Sequence, residues 1–160
     1  MVRFSKKIFI YLIVITTVAL DQLSKGYAQS ALDYGETVHV LKGLRFDLVY
    51  NSGAAFGVLS QQSGWQVIFL ISISIAAILA ISGWIFFKSE GPYSELLPLA
   101  LVLGGAVGNL IDRFRFGFVV DFITLYYESW YWPTFNLADS SICVGVFMLL
   151  IGSVRDKPIS

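Results

Sequence analysis

The chain has 160 residues, of which 56% are hydrophobic and 14% charged, and its mean hydropathy of +0.72 is too apolar for a water-soluble domain of this size. Eleven Lys and Arg balance eleven Asp and Glu. That leaves no basic surface to neutralise phosphates and argues against a nucleic-acid partner. The single cysteine, Cys143, excludes an internal disulfide and a Cys-rich metal cluster; of the two roles left, core packing and a reactive thiol, its place inside an apolar run favours packing.

The N-terminus has the outline of a secretory signal, with Arg3, Lys6 and Lys7 before an apolar stretch and small residues at Ala28-Gln29-Ser30-Ala31. Asp21 and Lys25 interrupt that outline and three more hydrophobic segments follow, so the first segment reads as a retained span. The four apolar stretches are Ile8 to Gln22, Val67 to Phe87, Leu96 to Ile111 and Leu137 to Val154. The first and third are short for a bilayer and should extend into their polar flanks, giving spans at 8–25, 66–87, 95–112 and 137–154. The expected fold class is an all-α membrane protein, a single domain over residues 1–160.

Between the first two spans, Thr37-Val38-His39-Val40-Leu41 and Leu44-Arg45-Phe46-Asp47-Leu48-Val49-Tyr50 are β-rich runs about a Lys42-Gly43 turn, so a small sheet on the membrane surface is expected. Lys88-Ser89-Glu90-Gly91-Pro92 is a tight polar turn between the second and third spans. After the third span comes a loop rich in Tyr126, Tyr127, Trp130, Tyr131 and Trp132, rings that favour the headgroup level. Arg3, Lys6 and Lys7, then Lys88, then Arg155 and Lys157 flank the spans on one side, which predicts cytoplasmic termini and places the sheet and the aromatic loop outside the cytoplasm. Lys25, Lys42, Arg45, Arg113 and Arg115 fall on the other side and weaken the bias.

Because spans alternate direction, Asp21 at the end of the first, Asp112 at the end of the third, Asp121 in the loop after it and Asp139 at the start of the fourth share one face. Carboxylates at the edge of hydrocarbon are costly unless paired, so their convergence marks a functional site. Asp21 and Lys25 stand at i and i+4, and Asp112 precedes Arg113; both read as ion pairs that anchor helix ends. Asp121 and Asp139 have no neighbouring cation and sit among apolar residues. Two carboxyls in one low-dielectric site cannot both ionise easily, which suits one to hold a proton while the other activates a water. The alternative, left open by the residues alone, is that Asp139 caps the fourth helix.

His39 lies in an expected surface strand with no second His for a metal triad, and no serine has a matching base partner. Ala100, Gly104, Gly108 and Asp112 recur at i+4, a stripe of small residues for close helix packing. Asn51 in Asn51-Ser52-Gly53-Ala54-Ala55-Phe56 suits either a turn or a hydrogen bond to a substrate carbonyl.

Five motifs occur in order: Asp21-Gln22 with Lys25; Asn51, Gly53, Ala55 and Phe56; Gly104-Gly105-Ala106 with Gly108-Asn109 and Asp112-Arg113; Val120-Asp121-Phe122; and Phe135-Asn136 with Ala138-Asp139. Together, over nearly the whole chain, they resemble the lipoprotein signal peptidase (signal peptidase II) family. The resemblance implies an aspartic endopeptidase of the bacterial cytoplasmic (inner) membrane that uses no metal or other cofactor, with Asp121 and Asp139 as catalytic dyad. Its site would lie near the outer face. Asn51, Gly53, Asn109, Asp112, Arg113 and Asn136 would shape the substrate site, and Asp21 and Lys25 would support it. The implied substrates are diacylglyceryl-modified prolipoproteins, cut immediately before the lipid-bearing cysteine; membrane lipid and globomycin-type inhibitors are the other expected partners, and a monomer is expected. Two other classes fit clustered membrane acids. A proton-coupled transporter would carry them near the midplane, and a Mg²⁺-dependent lipid-phosphate enzyme would use them as ligands with Arg113 or Arg115 on the phosphate.

Overall fold

The computed structural model describes residues 2–53, 64–88 and 90–155, with the side chains of residues 2–5 and 155 excepted. Ala54 to Phe56 of the second motif, Ser89, Lys157 and the side chains of Arg3 and Arg155 thus lie outside the described residues. The four apolar helices expected from the sequence are α1 (Val2–Ala31), α2 (Trp65–Phe87), α3 (Tyr93–Phe116) and α4 (Leu137–Arg155). Each is long and apolar enough to cross a membrane.

α3 is the central helix, packed against each of the other three. Lipid tails are as apolar as leucine, so nothing in the bilayer drives apolar faces together; close packing of small residues does. A Cβ added to Gly104 would lie 2.6 Å from the side chain of Thr17, and one on Gly108 2.5 Å from Asp21 Oδ2, so the expected small-residue stripe is where α1 docks. Gly105, one position off that stripe, lets α4 in against the Ala138 carbonyl, and Gly145 on α4 answers with its Cα against Pro98, where a Cβ would sit 2.6 Å from the carbonyl oxygen. Large apolar side chains point outward instead, Leu79, Phe87 and Val154 among them.

α1 continues well beyond Asp21. Its buried positions Ile10, Thr17, Asp21, Lys25 and Ala28 keep a spacing of three, four or seven, so the polar residues belong to the same inward stripe as the apolar ones. Asp21 therefore sits inside a long helix and not at its end.

The sheet has four antiparallel strands in the order β1 (Thr37–Leu41), β2 (Leu44–Asn51), β3 (Val119–Tyr127) and β4 (Trp130–Tyr131). β1 and β2 form the expected hairpin, turned at Gly43 with φ 92°. β3 corrects the sequence reading, because Asp121 lies in a strand and not a loop, opposite Val49 of β2. Val119 to Phe122 are all buried, covered on both faces, so the run carries no in–out alternation to betray a strand. Of the aromatic loop residues, Tyr126 and Tyr127 end β3 and Trp130 and Tyr131 form β4. α3 stops at Gly117, whose φ of 77° reverses the chain so sharply that β3 starts beside the last turn of α3.

Candidate active site

Where α1 and α3 cross, three buried ionic groups meet. Lys25 Nζ lies 2.9 Å from Asp21 Oδ2 and 2.9 Å from Asp112 Oδ2, and donates to Asn109 Oδ1 at 2.9 Å. Lys25 is 2% exposed, Asp21 0% and Asp112 1%, so the ammonium has exchanged water for three protein oxygens. The i, i+4 pair expected of Asp21 and Lys25 is present. Asp112, by contrast, takes Lys25 as its partner in place of the expected Arg113. Adjacent helical residues point about 100° apart, so neighbours in sequence do not face one another. Asp112 also accepts from Gln22 Nε2 at 2.8 Å and from the Val120 amide at 3.1 Å, which ties α3 to β3. Arg113 turns its guanidinium toward the carbonyls of Asn109 and Gly53, within electrostatic reach of Asp139, Asp121 and Asp112.

The N-terminus of α4 is built into the same network. Asn136 precedes the helix, and its Oδ1 accepts the Asp139 amide at 2.9 Å while the Asn136 amide lies 3.4 Å from Asp139 Oδ2. This reciprocal pair is a capping box. The Ala138 amide, a further donor left open at the helix start, is taken by Asp21 Oδ1 at 2.9 Å. Asp139 thus does cap its helix, and the cap is what aims its carboxyl. Its other oxygen accepts Asn109 Nδ2 at 2.8 Å.

Asp121 comes in from the sheet. Its Oδ1 accepts Asn136 Nδ2 at 2.7 Å and its Oδ2 accepts Asn51 Nδ2 at 2.9 Å. Asn51 also forms the foreseen turn, its Oδ1 accepting the Gly53 amide at 2.9 Å, while its Nδ2 is the donor to Asp121. Burial, and then the neighbouring Asp139 charge, push the Asp121 carboxyl up to about 7 against the donors Asn51 and Asn136 and the Lys25 charge. Among the described residues no buried side-chain nitrogen or oxygen lacks a hydrogen-bond partner.

Asp121 and Asp139 line one cleft of about 430 Å³, walled by Asn51, Trp132, Phe135, Ile142 and Cys143 among others. Cys143 is exposed, one turn beyond Asp139, and so is not the core residue its apolar surroundings suggested. His39 is exposed in β1, 3.3 Å from the Tyr126 hydroxyl. The structure thus joins Asp21, Lys25, Asn51, Gly53, Asn109, Asp112, Arg113, Asp121, Asn136 and Asp139 in one network. Gln22, which belongs to the first motif but is given no site role by the sequence, joins the network too: its amide donates to Asp21, Asp112 and the Gly108 carbonyl.

Three spans packed around a fourth, glycine-lined one, with two carboxyls at a cleft beside a small sheet, define a multi-pass membrane protein with a buried acidic site. Residues 13–155 match the family model described as Signal peptidase (SPase) II. The chain belongs to the signal peptidase II family, and it is a peptidase. It is 44% identical over 137 residues to the lipoprotein signal peptidase of Coxiella burnetii (strain RSA 493 / Nine Mile phase I), covering 86% of this chain and 84% of that one. It is 46% identical over 149 residues to the lipoprotein signal peptidase of Syntrophotalea carbinolica, covering 91% and 90%. A bacterial membrane enzyme structure obtained by the in meso method at 2.3 Å superposes with a TM-score of 0.83 at 28% identity, over 95% of this chain and 94% of that chain.

Proposed function

We propose that the chain is an aspartic endopeptidase, a single membrane domain that removes signal peptides from diacylglyceryl-modified prolipoproteins by cutting immediately before the lipid-bearing cysteine. The observation that carries the reading is that Asn136 touches both acids, its side-chain amide on Asp121 and its backbone amide on Asp139, at one cleft. Two carboxyls so close share one proton at neutral pH. The ionised carboxylate takes a proton from a water as its oxygen attacks the scissile carbonyl carbon, and the protonated carboxyl gives its proton to the carbonyl oxygen. In the collapse of the tetrahedral diol, the C–N bond breaks, the proton taken from water passes to the leaving nitrogen, and one diol hydroxyl returns its proton to the carboxylate that had given one to the carbonyl oxygen. The products are the acid terminus of the signal peptide and the amine of the lipid-modified cysteine.

Asn51, Asn109 and Asn136 hold the two carboxyls, Asp112 ties α3 to the strand that bears Asp121, Gly53 holds the Asn51 and Arg113 side chains, and Arg113 supplies positive charge beside the pair. Asp21 and Lys25 brace the crossing of α1 and α3. No step requires a metal or other cofactor. The apolar cleft suits a peptide and a lipid chain arriving from the bilayer, and globomycin-type cyclic peptides would compete for it. In this reading the protein works as a monomer in the bacterial inner membrane, with both termini cytoplasmic and the sheet and site at the outer face, as the flanking lysines and arginines suggest. Acids gathered beside a surface sheet fit this better than a transport path through the midplane. The test is to present the protein, purified in detergent, with a diacylglyceryl-modified precursor and its unmodified counterpart. Cleavage of the modified precursor alone, before its cysteine, is expected; no cleavage, or equal cleavage of both, would overturn the assignment.

A further inference from the structure

Lys25 touches neither carboxyl of the proposed dyad, yet its third contact leads to one of them. An ammonium has three N–H donors and no acceptor, and here the acceptors are Asp21 Oδ2, Asp112 Oδ2 and Asn109 Oδ1, each at 2.9 Å. Only the oxygen end of the Asn109 amide can therefore face Lys25, so the NH₂ end must face the opposite way. There Nδ2 donates to Asp139 Oδ1 at 2.8 Å. A flipped amide would set Nδ2 against the ammonium and Oδ1 against a carboxylate oxygen, a contact tolerated only with a proton between the two oxygens. Asn136 Nδ2, 3.2 Å from Asn109 Oδ1, opposes the flip from the other side.

We propose that Lys25 is a positioning residue for the dyad: held by Asp21 and Asp112, it fixes the orientation of the Asn109 amide, and through it the hydrogen bond that Asp139 receives. This rests on the dyad reading given above, and adds that the buried ion cluster sets the state of one acid as well as bracing two helices. Asp21 and Asp112 supply the counter-charges and Asn109 the third acceptor, so what separates a positioning role from a bracing one is whether the state of Asp139 changes when Lys25 is removed. The charged and titratable groups that act on Asp139 are Lys25 and Asp21 from α1, Arg113 from α3 and Asp121 from β3.

The test is a double-mutant cycle on single-turnover cleavage, with every rate taken per folded protein. Lys25→Met and Asn109→Ala should each lower the rate about tenfold or more, and the double variant should be no slower than the worse single variant by more than about threefold. The Lys25→Met deficit should be larger at about pH 5.5 than at about pH 8, because a carboxylate that loses its aligned donor protonates more readily. Independent, multiplying losses with equal deficits at both pH values would overturn the proposal, as would a Lys25→Met rate near that of the parent. Where Lys25→Met alone does not fold, the cycle is run in Asp112→Asn, since removing Lys25 and Asp112 charges together leaves the net charge of the cluster unchanged; the same coupling is expected there, and its absence again overturns the proposal. Asp139→Asn serves as the separate control. A fully active Asp139→Asn removes the dyad itself, whereas an inactive one with an uncoupled cycle removes only the role of Lys25.

Discussion

Gly108 is the position where packing and chemistry are most tightly linked. A Cβ there would stand 2.5 Å from Asp21 Oδ2 and 3.1 Å from its Cγ. The carboxylate cannot simply step aside, because Oδ2 holds Lys25 and Oδ1 holds the Ala138 amide at the start of α4. In an exposed helix Gly→Ala stabilises by about 1 kcal/mol. Forcing a methyl into a close-packed site costs about 1–3 kcal/mol, and separating a buried ion pair about 3–5 kcal/mol. If the pair is loosened but not lost, Gly108→Ala should cost about 2–5 kcal/mol. At roughly 2–4 °C per kcal/mol for a chain of this length, that is a fall in Tm of about 4–20 °C in detergent. Gly83→Ala in α2 and Gly26→Ala in α1 are the controls, since an added Cβ meets nothing within 4 Å at either position. They should melt at or slightly above the parent temperature. A Gly108→Ala protein as stable as these controls would refute the claim that the α1–α3 crossing is closed to a single methyl.

Asp121 titrates near its ordinary value of 3.8 when unfolded but near 7 when folded, so the folded state binds the extra proton between those values. The stability this contributes is full below about pH 4 and lost as pH rises through 7, so from about pH 5 to pH 8 the Tm of the parent should fall more than that of Asp121→Asn; equal falls would contradict the raised carboxyl. Chelation with EDTA should leave cleavage unchanged, and activity restored only by Mg²⁺ would favour the lipid-phosphate chemistry instead. Cys143→Ala and His39→Ala should each keep cleavage within about threefold of the parent, because neither side chain takes part in the proton transfers of the dyad. A folded Cys143→Ala protein with a large loss would reopen a thiol mechanism.

Apolar runs long enough to span, and a Lys42-Gly43 turn between β-rich stretches, made the four helices and the first hairpin legible from the residues alone. β3 was not, because a strand buried on both faces has lost the alternation by which strands are recognised. Cys143 misled for a related reason: in a membrane helix, apolar surroundings are as compatible with lipid as with a core. The four acids could be assigned to one face because spans alternate direction. Their partners could not be assigned, since the Lys25–Asn109 contact joins residues 84 apart and the Asp21–Ala138 contact residues 117 apart. Adjacency suggested Arg113 for Asp112, whereas the helical turn gave that place to Lys25. The cap on α4 and the proposed dyad stood as rival readings of Asp139 in sequence, and the fold uses the one residue for the cap while bringing it to Asp121.

The central claim, that Asp121 and Asp139 are the proton-transfer pair and Asp112 is part of the frame, is tested most directly by single-turnover cleavage in the three Asn variants, each normalised to folded protein. Asn keeps the shape and one acceptor but cannot exchange a proton, so Asp121→Asn and Asp139→Asn should lose cleavage altogether while remaining folded. Asp112→Asn, which loses only part of its contact with Lys25, should be less stable yet turn over measurably. A fully folded Asp112→Asn with no cleavage, beside an Asp121→Asn that still cleaves, would contradict the account and move the dyad to Asp112 and Asp139.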